Sequence, residues 1–412
     1  MISVEQAREA VLSRIDQLAP VETDALDTLG RVLAEDIVSD IDISPFDNSA
    51  MDGYAVQSAD VADASEKSPV VLAVVEHVAA GSFPVVTVGP GQATRIMTGA
   101  PMPQGADAVV MVERTEALEA EGGAGGTAAI KAPVKHGENV RLRGEDVREG
   151  DVVLSAGEVV TPAAVGLMAA MGRAKVSVYR KPRVAIVSTG DELVSIDEYP
   201  GPGKIRNSNS YSLAAQVIAA GGEPFILPVA RDNEDDTRAI LSRAPEFDLM
   251  VTTGGVSMGD FDVVKDVLLQ IGQMDFWKVA MRPGAPQTYG TIGGTPFFGL
   301  PGNPTSTTVG FELFVRPAMR KMAGFTALDR PTVEAVLAHD VKKKSDRRYF
   351  LRGRVTKTAD GYSAALSGSQ SSAMLTSMHR ANCLVSLAEG ESFYSAGSVV
   401  TCIRLDIEEG IQ

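Results

Sequence analysis

From Arg183 to Met322 the chain alternates short apolar runs with segments of helical spacing, and this alternation restricts the fold more than any other feature of the sequence. "RVAIVSTGDEL" reads as a strand and turn, "NSYSLAAQVIAAGG" as a helix closed by glycines, "EPFILPV" as a strand and "EDDTRAILSRA" as a helix. "DLMV" and "GDFDVVKDVLLQIG" repeat the pair, with Val263, Val267, Leu268 and Ile271 at helical spacing. "FWKVAM", "TPFFGL" and "PTSTTVGFELFVRPAMRKM" follow as two strands and one long helix. Strands separated by helices at this interval form a mostly parallel sheet covered on both faces. Ligands on such sheets bind beyond the carboxyl ends of the strands. "STGDE", "TTGGVSMGD" and "GLPGNP" all fall there, so three separate turns point at one cleft.

The flanking regions follow other rules, as a chain of 412 residues must, being too long for one core. "MISVEQAREAVLSRIDQLA" predicts a capped amphipathic helix, with Ser3 and Gln6 at capping-box spacing and Val4, Val11, Ile15 and Leu18 on one face. Residues 20–46 read as an extended acidic connector. Residues 47–145 carry short β-like runs broken by Gly and Pro, with the low-complexity "EALEAEGGAGGTAAIKAP" as a loop tip. "TPAAVGLMAAMG" predicts a helix with Thr161 as N-cap, Pro162 at the first position and Gly172 as its stop. Beyond Pro331, "RRYFLRGRVTK", "GYSAALS", "ANCLVSLAE" and "SVVTCIRLDI" predict a small β-barrel or sandwich.

Composition removes several function classes. A net charge of −15 argues against nucleic acid and anionic membranes as main partners, so any anionic ligand has to be held locally. No apolar run is long enough to span a bilayer, and the N-terminus does not read as a signal peptide, which predicts a cytoplasmic protein. Two cysteines, Cys383 and Cys402, without paired spacing suggest neither a disulfide framework nor a zinc site, and both are expected in a core. The four histidines, at 77, 136, 339 and 379, are scattered.

At the strand ends the residue types suit phosphate and a cation. Glycines let backbone amides approach a ligand, and a following helix N-terminus favours an anion, although the same glycines also suit a merely tight turn. Asp260 and Asp262 are either helix caps or cation ligands, and the same two readings apply to Asp191 and Glu192. "LPGNP" is a rigid turn that opens a helix at Pro304. Neither GxxxxGK[ST] nor GxGxxG occurs, so neither a P-loop nor a standard dinucleotide fold is supported. Lys278 and Arg282 lie near a strand end. Arg347, Arg348, Arg352 and Arg354 cluster in "DRRYFLRGR", which by itself suits a solvated edge strand.

Taken in order, "NSAMDGYAV", "IMTGAPMPQGADAVV", "RLRGEDV", "STGDEL", "RDNEDD", "TTGGVSMGDFD", "FWKVAMRPGAPQ", "GLPGNPTS" and "FLRGR" closely resemble the molybdopterin molybdenumtransferase family, that is MoeA and the gephyrin E domain. The resemblance implies an α/β multidomain fold: a central, mostly parallel MogA-like sheet domain, an elongated β-rich N-terminal region and a small C-terminal β-barrel. It implies domains at 1–46 plus 146–180, 47–145, 181–328 and 329–412. It also implies a reaction in which adenylylated molybdopterin and molybdate give molybdenum cofactor and AMP, with Mg²⁺ as the divalent cation. By matching motifs the catalytic set is Asp52, Thr98, Asp146, Glu192, Asp232 and Asp262, with Glu192 and Asp262 as metal ligands. Substrate would meet Gly254, Gly255, Ser257, Gly259, Lys278, Pro301, Gly302, Asn303 and Pro304. Molybdate would meet Arg282, Pro286, Arg352 and Ser372, donors suited to a tetrahedral dianion. The family implies a homodimer with a cleft shared between subunits, and as partners the molybdopterin adenylyltransferase and molybdoenzymes. One departure stands out: where relatives commonly read "KPGKP", this chain reads "RPGAP", with Arg282 and Ala285. Other readings are a related adenylyltransferase, a paralogue preferring tungstate, or a non-catalytic scaffold.

Overall fold

The computed structural model describes residues 1–119, 124–255 and 263–407. Ser257, Gly259, Asp260 and Asp262 lie outside the described residues. Two compact units are present: Met1–Glu35 with Gly157–Thr161 and Lys175–Gln412, and Asp36–Ala156 with Pro162–Ala174.

The first unit opens with α1 (Val4–Leu12), where the capping box forms: Gln6 N–H donates to Ser3 Oγ at 3.1 Å and Ser3 N–H to Gln6 Oε1 at 3.0 Å. The helix ends earlier than its apolar pattern, because the Lys321 ammonium takes the Leu12 carbonyl at 2.8 Å and caps the last turn. Val4, Val11 and Ile15 are nevertheless all buried. The strand–helix alternation then appears as β1 (Arg183–Ser188), α2 (Ser208–Ala219), β2 (Glu223–Ile226), α3 (Glu234–Leu241), β3 (Leu249–Thr253) and α4 (Val263–Ile271). After these come β4 (Gly272–Lys278), β5 (Pro286–Ile292) and β6 (Thr295–Leu300). The sheet runs in the order β2-β1-β3-β6-β5-β4, with β2, β1, β3 and β6 parallel, β5 antiparallel to them, and the edge strand β4 antiparallel to β5 and so running with the parallel set. That reversal follows from "IGGT": the two-residue loop Gly293–Gly294 closes a hairpin with Ile292 paired to Thr295.

Successive side chains of a strand face opposite sides. Val184, Ile186, Leu249 and Val251 pack with Val11 of α1 and Leu213 of α2, whereas Ala185, Val187 and Met250 pack with Leu241 of α3 and Val267 of α4. Both faces are thus covered, as a parallel sheet requires.

The long helix predicted after "LPGNP" is interrupted. It forms as α5 (Pro304–Gly310), a π-helical turn at Phe311–Val315, and α6 (Arg316–Met322). Pro317 has no N–H for the carbonyl of Leu313, four residues back. That carbonyl instead accepts from the Arg8 guanidinium at 2.6 Å. The buried Arg316 and Arg320 of α6 donate to the carbonyls of Leu328 (3.4 Å) and Ala327 (2.8 Å).

Five strands close the C-terminal barrel: β7 (Thr332–Leu337), β8 (Arg348–Thr358), β9 (Gly361–Leu366), β10 (Cys383–Leu387) and β11 (Val399–Arg404). The ring runs β8-β9-β7-β11-β10 and back to β8. The basic run "RRYFLRGR" is therefore not an edge strand, since β8 is paired on both sides. Cys383 and Cys402 are free and buried in this core.

In the second unit a six-stranded sheet orders its strands as Ala108–Met111, Gly53–Val56, Gln92–Ile96, Val70–Val78, Thr127–Ile130 and Thr115–Glu119. Tyr54, Leu72, Val74 and Ile130 form its core. The helix Pro162–Ala170 begins at Pro162, and Gly172, at φ +69°, follows its end.

Candidate active site

The three turns expected at one cleft do meet. Thr189–Glu192 follows β1, Gly254–Gly255 follows β3 and Pro301–Pro304 follows β6, all at carboxyl ends of parallel strands. They enclose a cavity of about 630 Å³ whose wall includes Glu192, Asp232, Gly254, Gly255, Gly302 and Pro304. Only glycine fits at the central turn. At Gly254 (φ +94°) a Cβ would stand 2.9 Å from the Thr189 carbonyl oxygen, and at Gly255 (φ +64°) 2.3 Å from Val264 Cγ2. The Gly254 N–H donates to the Leu300 carbonyl at 3.0 Å, so this residue contributes space rather than an amide donor.

The carboxylates group in pairs. Asp232 N–H donates to Asp191 Oδ1 at 3.3 Å and Asp191 N–H to Asp232 Oδ2 at 3.4 Å, which locks the two acidic loops together. Lys204 Nζ donates to the Asp191 carbonyl at 2.5 Å. Glu192 and Asp232 face the cavity, and both are exposed. Among the described residues no cluster of three or more His, Cys, Asp or Glu side chains is placed to hold a metal on its own.

A second cavity of about 900 Å³ shares Glu192, Ile205, Gly255, Gly302 and Pro304 with the first and adds Arg282, Ala285, Pro286, Pro301, Asn303 and Ser372. Arg282, Pro286 and Ser372 of the expected molybdate set thus stand together. Arg352 does not line this cavity. With Arg282 and Ser372 it lines a third, of about 540 Å³. Fully buried, Arg352 donates to Ser377 Oγ (3.3 Å) and to the carbonyls of Ser369 (3.1 Å) and Ser371 (3.0 Å), holding in place the loop that carries Ser372. Burial pushes its guanidinium down to about 10. Lys278, at the end of β4, lines none of the three cavities.

Asp52, Thr98 and Asp146 belong to the second unit. Thr98 donates twice to Asp52 Oδ1, from its N–H at 2.7 Å and its hydroxyl at 2.8 Å. These two bonds, the backbone one first, hold the Asp52 carboxyl below the usual carboxylate range. Asp146 is exposed on the loop after Arg143, where its N–H meets the Ile43 carbonyl at 3.2 Å. We expect Thr98→Val to return the Asp52 carboxyl toward its ordinary value. A group whose folded pKa is depressed contributes stability above its unfolded value, lost as pH falls through the folded one. The wild-type chain should therefore gain more stability than the variant as pH rises through the carboxylate range. A carboxyl-carbon NMR titration of Asp52 with acid unfolding checks this, and identical Asp52 titrations in both proteins would refute it.

Sequence reasoning passed over "NSNS" at the start of α2, read only as part of a helix. Asn209 Nδ2 donates to Thr253 Oγ1 at 2.8 Å and to the Gly302 carbonyl at 2.7 Å, tying the end of β3 to the "LPGNP" turn. Beneath it Ser188, Asn207 and Ser210 form a buried polar cluster. Four small polar residues in a row exceed what one N-cap needs, and that surplus was the available signal.

Known proteins agree with this architecture. Residues 2–172 match the model of the MoeA N-terminal region (domain I and II), residues 185–321 that of a probable molybdopterin binding domain, and residues 334–405 that of the MoeA C-terminal region (domain IV). The chain is 37% identical over 404 residues to the molybdopterin molybdenumtransferase of Staphylococcus aureus (strain COL), covering 98% of this chain and 95% of that protein. Identity to its Staphylococcus epidermidis counterpart (strain ATCC 12228) is also 37%, with the same coverage. Among solved structures, the molybdopterin biosynthesis MoeA protein from Pyrococcus horikosii superposes with a TM-score of 0.82 at 34% identity, over 98% of this chain and 99% of that one. With near full-length identity, all three regional models and the matching fold in agreement, the chain belongs to the MoeA family of molybdopterin molybdenumtransferases.

Proposed function

We propose that this chain transfers molybdenum from molybdate to adenylylated molybdopterin, giving molybdenum cofactor and AMP. The observation that carries the reading is the pair of cavities with a common wall. One, at the carboxyl edge of the sheet, has a polar floor and carboxylates; the other has Arg282 and Ser372, donors for a dianion. A shared wall lets the two substrates react without leaving the protein.

In this reading Asn209 holds the β3 and "LPGNP" turns in register around the pterin substrate, and Pro301 and Pro304 stiffen that turn. Arg282 and Ser372 hold molybdate, with Arg352 supporting the Ser372 loop from behind. Mg²⁺ usually takes one or two carboxylates together with substrate phosphates, and Glu192 and Asp232 on one cavity wall fit that donor set. Bound there, the ion would neutralise charge on the departing AMP. Asp262 remains a ligand candidate from the motif alone. The family resemblance further supports a cytosolic homodimer in which Asp52, Thr98 and Asp146 serve the same reaction, partnered by the adenylyltransferase and by molybdoenzymes. The four-part division at 46, 146, 181 and 329 belongs to the same proposal. Among the described residues no helix is long and apolar enough to cross a membrane.

Purified protein supplied with adenylylated molybdopterin, Mg²⁺ and molybdate should release AMP and form cofactor, and should not adenylylate molybdopterin when given ATP. Activity only in the ATP reaction would assign it to the adenylyltransferases, tungstate use in preference to molybdate would make it an oxyanion-altered paralogue, and inactivity in all arms would leave a scaffold.

A further inference from the structure

Among the described residues Arg282 has no acidic partner. Strand pairing sets it opposite Tyr349, with the guanidinium 5.4 Å over the Tyr349 ring and Nη1 donating to the phenol oxygen at 3.4 Å. The same oxygen accepts the Lys344 N–H at 2.9 Å and lies 3.2 Å from Ser345 Oγ. Tyr349 is itself 5% exposed, on β8, whose pairing on both sides fixes its position. Lys343 Nζ, buried as well, stands 5.3 Å over the ring.

The hydrogen-bond roles follow from the partners. An amide N–H and a guanidinium N–H can only donate, so the phenol accepts from both and its own proton is left for Ser345 Oγ. The Ser345 hydroxyl hydrogen is then free to donate into the 900 Å³ cavity that Ser345 and Arg282 both line. Arg282 uses one of its five N–H groups on the phenol and keeps the others for a ligand. A neutral partner suits this role. A carboxylate at Tyr349 would oppose a dianion in the cavity, whereas a phenol and a ring face orient the cation without cancelling it.

We infer that Tyr349 is a positioning residue of the oxyanion cavity, which fixes Arg282 and turns the Ser345 hydroxyl into a donor for the same anion. This rests on the proposed reading of that cavity as the molybdate site. It also assigns Ser345 as an additional anion contact.

The test is a calorimetric titration of the full chain with molybdate alone, for wild type, Tyr349→Phe, Arg282→Ala and the double variant. Phenylalanine keeps the ring and loses the hydroxyl. We expect it to raise the molybdate Kd roughly 2- to 12-fold, the range for a neutral hydrogen bond, and to raise it less in the Arg282→Ala background. A merely structural tyrosine would shift Kd equally in both backgrounds, and that result, or an unchanged Kd in the single variant, overturns the inference. If Arg282→Ala leaves molybdate binding untouched, or wild type binds none, the oxyanion reading of the cavity fails and this inference falls with it. If Arg282→Ala weakens binding and Tyr349→Phe does not, only this inference falls. Should Tyr349→Phe not fold, Ser345→Ala carries the test: a rise of similar size supports the role of the phenol, and an unchanged Kd overturns it.

Discussion

Glu192→Gln should lower Mg²⁺-dependent AMP release by about 10²-fold or more, since even residues that only support a metal ligand alter activity by roughly 10- to 100-fold. Glutamine keeps the shape of the side chain and removes the charge. Glu192 is exposed at the wall common to both cavities, so the fold should tolerate the change, with stability within about 0.5 kcal/mol of wild type. Asp232→Asn should act in the same direction, because its amide can still accept the Asp191 N–H while the charge is gone. Measuring AMP release against Mg²⁺ concentration separates the two possible roles. A ligand change raises the half-saturating Mg²⁺ concentration, whereas loss of a helix or loop cap would move only the unfolding midpoint. Wild-type turnover in Glu192→Gln at every Mg²⁺ concentration would remove Glu192 from the reaction.

The second large effect is expected from Ala285→Lys. Ala285 lies on the wall of the cavity that holds Arg282, Pro286 and Ser372, so a lysine there would add a charged donor where this chain has a methyl group. A hydrogen bond to a charged group contributes roughly 1.5–3 kcal/mol, which corresponds to about a 10- to 150-fold lower half-saturating molybdate concentration. The gain shrinks if a water or Arg282 already fills the position. Affinity for adenylylated molybdopterin should change far less, because the 630 Å³ cavity does not include residue 285. Separate titrations of the two substrates make the comparison. If lysine leaves the molybdate dependence unchanged and tungstate proves the better substrate, the "RPGAP" turn marks altered specificity.

What the sequence revealed was local. The repeated strand and helix signals around "STGDEL", "TTGGVSMG" and "LPGNP" depend on spacing within a dozen residues, and the cleft they imply follows from the general rule for parallel sheets. The capping box at Ser3 and Gln6 is equally local. What stayed hidden depends on partners far away in the chain. "FWKVAM" reads as a strand, but its place at the sheet edge depends on pairing with the antiparallel β5, whose direction the hairpin at Gly293–Gly294 sets. "RRYFLRGR" looks like a solvated edge until barrel closure buries Arg352 and turns its donors toward the carbonyls of residues 369 and 371. Asn209 reads only as part of a helix because its acceptors, Thr253 and Gly302, are 44 and 93 residues away. Tyr349 gave no signal, since a tyrosine in a strand is the ordinary expectation.

The π-helical turn at Phe311–Val315 also bears on how this chain can change over generations. Such a turn amounts to one residue more than an α-helix needs. Deleting one residue within it would restore regular winding and leave the flanking turns on nearly the same faces, whereas deleting one from the regular turns of α5 before it would rotate everything beyond by about 100°. Arg316 and Arg320 would then swing away from the carbonyls of Leu328 and Ala327 that they now reach, and Leu313 would lose its place opposite Arg8. At the turn itself the gain or loss of one residue asks only for a local bulge, whereas in the regular turns before it the same change would require several distant side chains to be replaced at the same time. The turn is therefore the place where this long helix can absorb a change of length, a slack point in an otherwise rigid rod.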